Sequence, residues 1–210
     1  KARNKLNEFV RQASASETDV KIISTIDHNA ASGIARTSKE IMANIIVLGW
    51  PRKRGLLDII IGEKMDSILS NTDKTTFICH FERPLALHKK MMVFIPPLAE
   101  CEPGFDLWFT KLSKLAQELT IPVQIYCNKA SEEAFRSLIK KIKISAMVMF
   151  LHFDNWDDFL NTFSRINHDD LIVLISSRSG SASHMGLLDK LPSKLEKHFS
   201  LNSRIVIFPQ

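Results

Sequence analysis

Short apolar runs alternate with amphipathic stretches along almost the whole chain, and this alternation limits the possible folds more than any other feature. Each apolar run has the length of a strand, and the stretches between runs carry apolar residues at helical spacing. The predicted strands cover residues 20–26, 45–48, 75–81, 91–95, 123–127, 146–150, 171–175 and 204–208. The predicted helices cover residues 2–13, 30–43, 56–69, 105–119, 131–142, 154–163 and 185–199. Regular alternation of this kind indicates an α/β fold with a parallel sheet and right-handed crossovers.

The composition excludes several classes of protein. The chain has 210 residues, 45% of them hydrophobic, which suits one large domain or two small ones. Its net charge of +5 includes no run of five like charges, so we expect no nucleic-acid partner. Three cysteines without a CxxC spacing indicate reduced thiols and no zinc site. No apolar run approaches the ~18 residues of a membrane span, and the missing initial Met predicts that the chain belongs to a longer protein.

The two parts of the chain carry similar segments in the same order. The matching segments are IIVL at 45–48 with LIVL at 171–174, GLLD at 55–58 with GLLD at 186–189, and the strand at 75–81 with residues 203–209. The matches lie 126, 131 and 128 positions apart. Because all three follow one order at nearly one spacing, they predict an internal repeat.

The repeat divides the chain into two unequal copies. We expect a partial copy at residues 1–82, a linker at 83–90 and a complete copy at 91–210. The first copy lacks counterparts of residues 91–127, which form the opening strand, helix and strand of the second. Its sheet must therefore be completed by a neighbouring molecule, by further chain or by rearrangement.

A basic turn after the strand at 45–48 is the main candidate for ligand binding. The strand stops at Gly49, and Arg52 lies in the basic segment PRKRG. A helical pattern then leads from Gly55 to Gly62. Sheets of α/β proteins bind ligands at the carboxyl ends of strands, and a basic turn before a helix suits phosphate. Contact with anionic lipid or a partner domain, or a purely structural turn, are the alternatives. The candidate phosphate- or nucleotide-binding residues are Gly49, Arg52, Gly55 and Gly62.

The remaining polar segments show no catalytic or metal-binding arrangement. The serine-rich turn at 176–183 carries Arg178 and can either bind an anion or form a flexible loop. Its serines and His184 lack a G-x-S-x-G elbow and an ordered acid, which argues against a hydrolase. The seven histidines show no metal-ligand spacing, although His152 and His168 flank an acidic run and can titrate near neutral pH. We therefore expect a non-catalytic domain without a metal.

One further loop, PPLAECEPG at residues 96–104, is rich in proline and acidic residues. It suits either a docking surface or a rigid connection between a strand and a helix, and the sequence leaves both open.

The order of elements and the segment IIVLG resemble the universal stress protein family. The resemblance implies tandem doubly wound parallel sheets of the adenine nucleotide alpha hydrolase-like class, with the first copy truncated at its N-terminus. In that family Gly-x2-Gly-x9-Gly-Ser/Thr after the fourth strand holds nucleotide phosphates. Gly49 and Gly62 match the first and third glycines, but Arg52 and Glu63 replace the second glycine and the Ser/Thr. Pro96 stands near the position of the family's nucleotide-binding Asp. The expectation is therefore no bound cofactor, with ATP or AMP as the alternative.

A second resemblance covers nearly the whole chain. The phrases ASGIARTSKEIMANIIVLGWP and LPSKLEKHFSLNSRIVIFPQ are similar to the cytoplasmic tail of bacterial cation/proton antiporters of the monovalent cation:proton antiporter-2 type. This implies a regulatory or assembly domain at the cytoplasmic face of the bacterial inner membrane, attached to a sodium or potassium ion/proton exchanger domain of the same polypeptide. It also implies a homodimer, and pairing of the strands at 75–81 and 204–208 across a pseudo-twofold axis.

Two functions from different classes remain open from the sequence. One is the regulatory domain of an antiporter, and the other is a universal stress protein that binds ATP or AMP. Gly49 and Gly62 favour nucleotide binding. Arg52, Glu63 and Pro96 oppose it.

Overall fold

A seven-stranded sheet forms the centre of the computed structural model, which describes residues 2–50, 67–163 and 166–210. The strands are β1 (Ile45–Gly49), β2 (Thr75–His80), β3 (Lys90–Phe94), β4 (Val123–Cys127), β5 (Val148–His152), β6 (Asp170–Ile175) and β7 (Arg204–Phe208). Their order across the sheet is β1-β2-β7-β6-β3-β4-β5, and every neighbouring pair is parallel except β2 and β7. The predicted α/β class with a parallel-dominated sheet is confirmed.

Two helices precede β1, and others connect the strands from β3 to β7. They are α1 (Ala2–Ala15), α2 (Ala30–Glu40), α3 (Phe105–Leu119), α4 (Lys129–Ile142), α5 (Phe159–Thr162) and α6 (Leu191–His198). Residues 67–71 are also helical, while the rest of the helix predicted at 56–69 lies outside the described residues. The helix predicted at 154–163 is shorter, with a 3-10 turn at Trp156–Asp158 before α5. Within the described ranges, no helix is long and apolar enough to cross a membrane.

Two helix starts differ from the sequence prediction. Ser131 is the predicted N-cap of α4, but Asn128 caps it, with Oδ1 accepting from the Ser131 N–H at 2.8 Å. The sequence also predicts a helical region at 185–199 interrupted by Pro192. Instead, α6 begins at Leu191, so the proline lies in its first turn, where a missing N–H breaks no helical hydrogen bond.

The central strands are buried on both faces because helices cover both. Met91 and Val93 face a core built with α3 and α4. Met92 and Phe94 face a second core, built with α5 and α6. The helix residues in these two cores include Trp108, Phe109, Leu112, Phe135, Phe159, Leu191 and Leu195. Burial on both faces explains why these strands read as continuous apolar runs in the sequence.

The predicted strand at residues 20–26 is wrong. This segment pairs with no strand, and Ile26 is 96% exposed. A strand needs a neighbouring backbone for its hydrogen bonds, and the described residues supply none beside it. As a result β1 is an edge strand rather than the buried strand predicted at 45–48, and Val47 is 66% exposed. None of the described residues fills the open edge of β1.

The antiparallel pairing of β2 with β7 joins the two parts of the sheet. Ile78 faces Val206 at the middle of this ladder, and both are almost fully buried. The predicted pairing of the strands at 75–81 and 204–208 is therefore confirmed.

Candidate functional site

One of the four predicted binding residues is described, and it lies at the edge of the sheet. Gly49 ends β1 and is exposed. A Cβ added to it would meet no other atom within 4 Å, so close packing does not require a glycine here. Arg52, Gly55 and Gly62 lie outside the described residues. This binding set therefore stays a prediction.

The carboxyl ends of β3 and β6 form a second candidate site. The two strands are parallel neighbours, but the chain after β3 leads to β4 on one side and the chain after β6 leads to β7 on the other. Open α/β sheets bind ligands in the crevice at such a switch point. The loop at residues 96–104 follows β3, and the loop at residues 176–190 follows β6. These two loops border the crevice.

A buried carboxylate bridges the two loops. Glu102 is 6% exposed, and its Oε1 accepts a hydrogen bond from the backbone N–H of Ser183 at 2.6 Å. Hydrogen bonds to a charged acceptor are short and strong, so this one holds the loops together across the crevice. Backbone N–H groups of loops often bind phosphate oxygens. Here the acceptor is the protein's own side chain.

The loop at 96–104 also contacts the junction of β2 and β7. The N–H of Gln210, just after β7, donates to the carbonyl of Pro103 at 3.1 Å. Gly104 has φ +81°, and a Cβ there would lie 2.9 Å from the Oγ1 of Thr75, the first residue of β2. Only glycine accepts both this backbone conformation and this close approach. The loop after β3 is therefore hydrogen-bonded to the chain after β7 and lies close to the start of β2.

Arg178 ties the turn after β6 to the same junction. Its guanidinium donates to four backbone carbonyls. The acceptors are the carbonyl oxygens of Leu69, Thr72 (2.8 Å), Lys74 (2.7 Å) and Pro209 (2.9 Å). Burial lowers the pKa of this guanidinium, and the charge of Asp73 partly opposes that effect. With its donors used in this way, Arg178 is a clamp between segments rather than the anion ligand that the sequence allowed.

The sequence alone assigns neither Glu102 nor Arg178 to these contacts. The only sequence feature that could have indicated the role of Glu102 is its position in a loop that follows a strand beside the switch point. Arg178 has no such signal, because one of its acceptors, Leu69, is 109 positions away and any residue type offers a carbonyl.

A cavity of about 920 Å³ lies beside Arg178. Ile78 and Val206 line it from the sheet, and Trp50 and Leu69 line it from the chain on either side of residues 51–66. The volume suits a small molecule. The chain that joins two of its walls lies outside the described residues, so we assign no ligand to it.

His152 has a different partner from the one that the sequence suggests. Its Nε2 lies 2.7 Å from Oε2 of Glu132, and the Nε of Arg136 donates to Oε1 of Glu132 at 2.6 Å. Both contacts lower the pKa of Glu132, and the contact with His152 has the larger effect. The acidic run before α5 makes neither contact. In the described part of the chain, no three His, Cys, Asp or Glu side chains are grouped to hold a metal.

The three thiols should differ sharply in reactivity. Burial raises the pKa of Cys79 to about 11 and that of Cys127 to about 12, whereas Cys101 is exposed. We expect one thiol to react rapidly with an aromatic disulfide reagent at pH 8, and all three to react after denaturation. Cys101→Ser should remove the rapid phase. A second rapid thiol in the native protein would contradict this packing.

The buried thiols also make the stability of the protein depend on pH. Unfolded thiols ionise near pH 8.5, so the free energy of unfolding should fall as the pH rises from about 9 towards 11.

No family model matches the chain, and no curated protein matches it. Solved structures do. A putative universal stress protein from Pseudomonas aeruginosa UCBPP-PA14 has a TM-score of 0.62 at 10% identity, and the match covers 100% of this chain and 79% of that one. A universal stress protein from Archaeoglobus fulgidus DSM 4304 has a TM-score of 0.56 at 13% identity, with 98% and 75% covered.

The cytoplasmic domain of a prokaryotic cation chloride cotransporter is similar to the same extent. Its TM-score is 0.62 at 14% identity, and the match covers 95% of this chain and 77% of that one. At these identities the likeness concerns the fold alone. The chain therefore has an α/β fold of the universal-stress-protein-like type.

Proposed function

We propose that the chain is a non-catalytic regulatory or assembly domain on the cytosolic side of a bacterial cation/proton antiporter. The main observation in support is the continuous sheet, in which β2 and β7 join two α/β units into one scaffold. A cytoplasmic domain of a cation chloride cotransporter shares this fold, which supports a position next to a transport domain. Exchange of sodium or potassium ions for protons belongs, in this proposal, to a transmembrane domain of the same polypeptide.

The proposal includes a tandem repeat whose first copy is truncated. The sequence match at a spacing of 128 positions equates Ile78 with Val206. These two residues face each other in the antiparallel ladder. Equivalent residues that pair with one another are what a pseudo-twofold axis requires.

The register inside each copy supports the same interpretation. Ile46 pairs with Thr76 in the first part of the sheet. Their counterparts at spacings of 126 and 128 positions are Ile172 and Arg204, and these two also pair. The sequence match and the strand pairing therefore agree at two independent positions.

The contacts in the crevice support a non-catalytic role without a bound cofactor. Glu102 accepts from the N–H of Ser183 across the switch point, and Arg178 donates to four backbone carbonyls. Groups that could orient a substrate are thus used within the protein. The proposed partners are the exchanger domain and a second copy of the chain, with anionic lipid as a further contact of the basic segment that includes Arg52.

Deletion from the full-length exchanger tests the regulatory role. Proton-coupled ion flux should be measured in membrane vesicles with the intact protein and with a form that ends before the segment starting at Lys1. We expect the deletion to change the rate, the pH profile or the oligomeric state of the exchanger. If all three are unchanged at equal protein levels, the proposal is rejected.

A universal stress protein that binds ATP or AMP is the alternative function. Gly49, which ends β1, and the universal stress proteins among the similar structures favour it. Calorimetric titration of the chain with each nucleotide separates the two proposals. We expect no saturable heat at about 1 mM nucleotide, a concentration at which a millimolar site would be half filled. Saturable heat with ATP or AMP would establish the alternative.

A further inference from the structure

The strand β5 is the edge of the sheet farthest from β1, and its outer side is open. Among the described strands it pairs with β4 alone. Its sequence, VMFLH, contains no proline, lysine or acidic residue. Natural proteins usually protect edge strands from further pairing with such residues. The outer side of β5 is therefore available to another strand.

Two contacts with β4 determine which backbone groups of β5 face outward. The carbonyl of Met147 accepts from the N–H of Val123 at 2.8 Å, and the N–H of Phe153 donates to the carbonyl of Cys127 at 2.9 Å. Peptide groups alternate between the two sides of a strand, so the odd-numbered residues from 147 to 153 face β4. The even-numbered residues 148, 150 and 152 therefore direct their N–H and C=O groups to the open side. A strand added there meets three donors and three acceptors in one row.

Two methionines beside this edge are exposed to solvent. Met147 is 72% and Met149 is 50% exposed. Their neighbours Val148 and Phe150 pack against the core built with α3 and α4, so the two methionines lie on the opposite face of the sheet. The helix on that face, α5, has only four residues and leaves them uncovered. Exposed methionines are frequent at surfaces that bind other proteins.

The two ends of β5 carry opposite charges. Lys140 and Lys143 are exposed before the strand, and Asp154 and Asp157 are exposed after it. Within the described ranges, none of these four side chains forms an ion pair. A second β5 that runs antiparallel brings its basic start beside the acidic end of the first. The charges therefore favour a copy of the same strand, in the antiparallel direction, as the partner.

We propose that β5 is the surface through which two copies of this chain associate, by antiparallel pairing of their β5 strands about a twofold axis. The contact uses the same residues on both copies, so it closes at a dimer. This inference rests on the part of the proposed function that names a second copy as a partner, and it assigns the surface of that contact.

The backbone groups that face outward determine the register of this pairing. With the twofold axis at Phe150, Val148 of one copy pairs with His152 of the other, and about six hydrogen bonds form between the strands. Met149 then lies opposite Leu151 of the other copy, on the face that carries the exposed methionines.

The same register aligns the unpaired charges. Lys143 of each copy comes opposite Asp157 of the other, and the alignment occurs twice because of the twofold axis. Opposite charges at the rim of an interface select the orientation of the partner. The antiparallel direction is therefore favoured by the hydrogen bonds and by the charges.

Sedimentation equilibrium of the chain from about 1 to 500 µM tests the proposal, a range that covers micromolar dissociation constants. We expect a dimer whose dissociation constant rises at least about tenfold in Met149→Lys, because the change places two added positive charges close together in the contact. Val47→Lys is the matched control, since Val47 is 66% exposed on the opposite edge strand β1. It should leave the dissociation constant unchanged.

Exchange of one charge pair tests the register. Lys143→Glu and Asp157→Lys each bring like charges together at two places in the dimer, so each should raise the dissociation constant about tenfold. The double variant restores opposite charges and should return within about threefold of the original chain. Recovery of this kind requires that the two residues meet across the contact.

Three results overturn the proposal. A chain that stays monomeric at about 500 µM has no such contact, although the deletion experiment on the exchanger still tests the regulatory role. A dimer that Met149→Lys leaves intact, or that Val47→Lys dissociates in its place, uses another surface. Should Met149→Lys fail to fold, the charge exchange decides alone, and a double variant no tighter than its single variants rejects the pairing.

Discussion

Replacement of Arg178 by methionine should lower the free energy of unfolding by about 2–4 kcal/mol, because several backbone carbonyls lose a charged donor. The guanidinium connects the turn after β6, Pro209 after β7, and the chain before β2. Methionine fills a similar volume but donates no hydrogen bond. For a chain of this length the melting temperature should fall by about 5–15 °C, measurable by calorimetry and by denaturant unfolding.

Two controls separate the clamp from a general effect of charge. Arg178→Lys keeps the charge, but one ammonium group cannot reach all the acceptors of the guanidinium, so we expect an intermediate loss. Arg136→Met removes an arginine whose side chain is 57% exposed and pairs with Glu132 on the surface. That change should cost less than about 1 kcal/mol. A loss in Arg178→Met no larger than in Arg136→Met would show that the carbonyl contacts contribute little.

The contacts of Arg178 illustrate a limit of sequence interpretation. Its acceptors are backbone carbonyls more than 100 positions away in three of four cases. A carbonyl leaves no trace in the sequence, so the same arginine in a serine-rich turn suggests anion binding just as well. Glu102 is similar, since its partner is the backbone N–H of Ser183.

Most strands were predictable for a clear physical reason. The residues of β3 and β6 are buried on both faces, which requires continuous apolar runs such as MMVF and LIVL. The strand β4 (Val123–Cys127) and the helix α3 (Phe105–Leu119) have the predicted bounds. Each is followed by a residue that favours turns or strands, Asn128 and Thr120. The family resemblance also implied which two strands pair at the junction.

The strand prediction for residues 20–26 failed because this segment has no neighbouring strand in the described structure. VKIISTI has the composition of a strand, but strand formation depends on a neighbour to accept its hydrogen bonds. Composition reports the tendency of a segment and not the presence of a partner. The same absence leaves β1 at an edge, although IIVL predicts burial on both faces.

The position of the crevice follows from the topology of the sheet, whereas the contacts inside it do not follow from the sequence. Topology places ligands at the carboxyl ends of strands, and the crevice between β3 and β6 is such a place. The sequence directed attention to the basic turn after β1, because glycine and arginine are the residues that bind phosphate in motifs. In the crevice the structure brings Glu102 and Ser183 together, and no sequence motif describes this contact between a carboxylate and a backbone N–H.

The junction of β2 and β7 is the element on which the rest of the architecture depends. It lies between two parallel units, and it is contacted by the loop after β3 and by the clamp of Arg178. Val206 lies at its centre with no exposed surface, opposite Ile78. A change there should therefore affect both parts of the sheet together.

Val206→Asp should abolish cooperative folding. An aspartate at this position buries a carboxylate among the apolar side chains of the core, at a cost of more than about 4 kcal/mol. That cost approaches the whole stability of an ordinary domain, which is about 5–15 kcal/mol. We expect loss of the unfolding transition in denaturant and loss of protection of the strand amides in hydrogen exchange.

Val47→Asp is the matched control, because it makes the same change in a strand of the same sheet. Val47 lies in β1 and is 66% exposed, so its aspartate remains in water and should cost less than about 1 kcal/mol. The comparison holds the substitution constant and varies only the position in the sheet. If Val206→Asp unfolds with the midpoint of Val47→Asp, the junction is not the buried centre of the fold. If Val47→Asp proves as damaging as Val206→Asp, then the edge of β1 is covered in the folded protein.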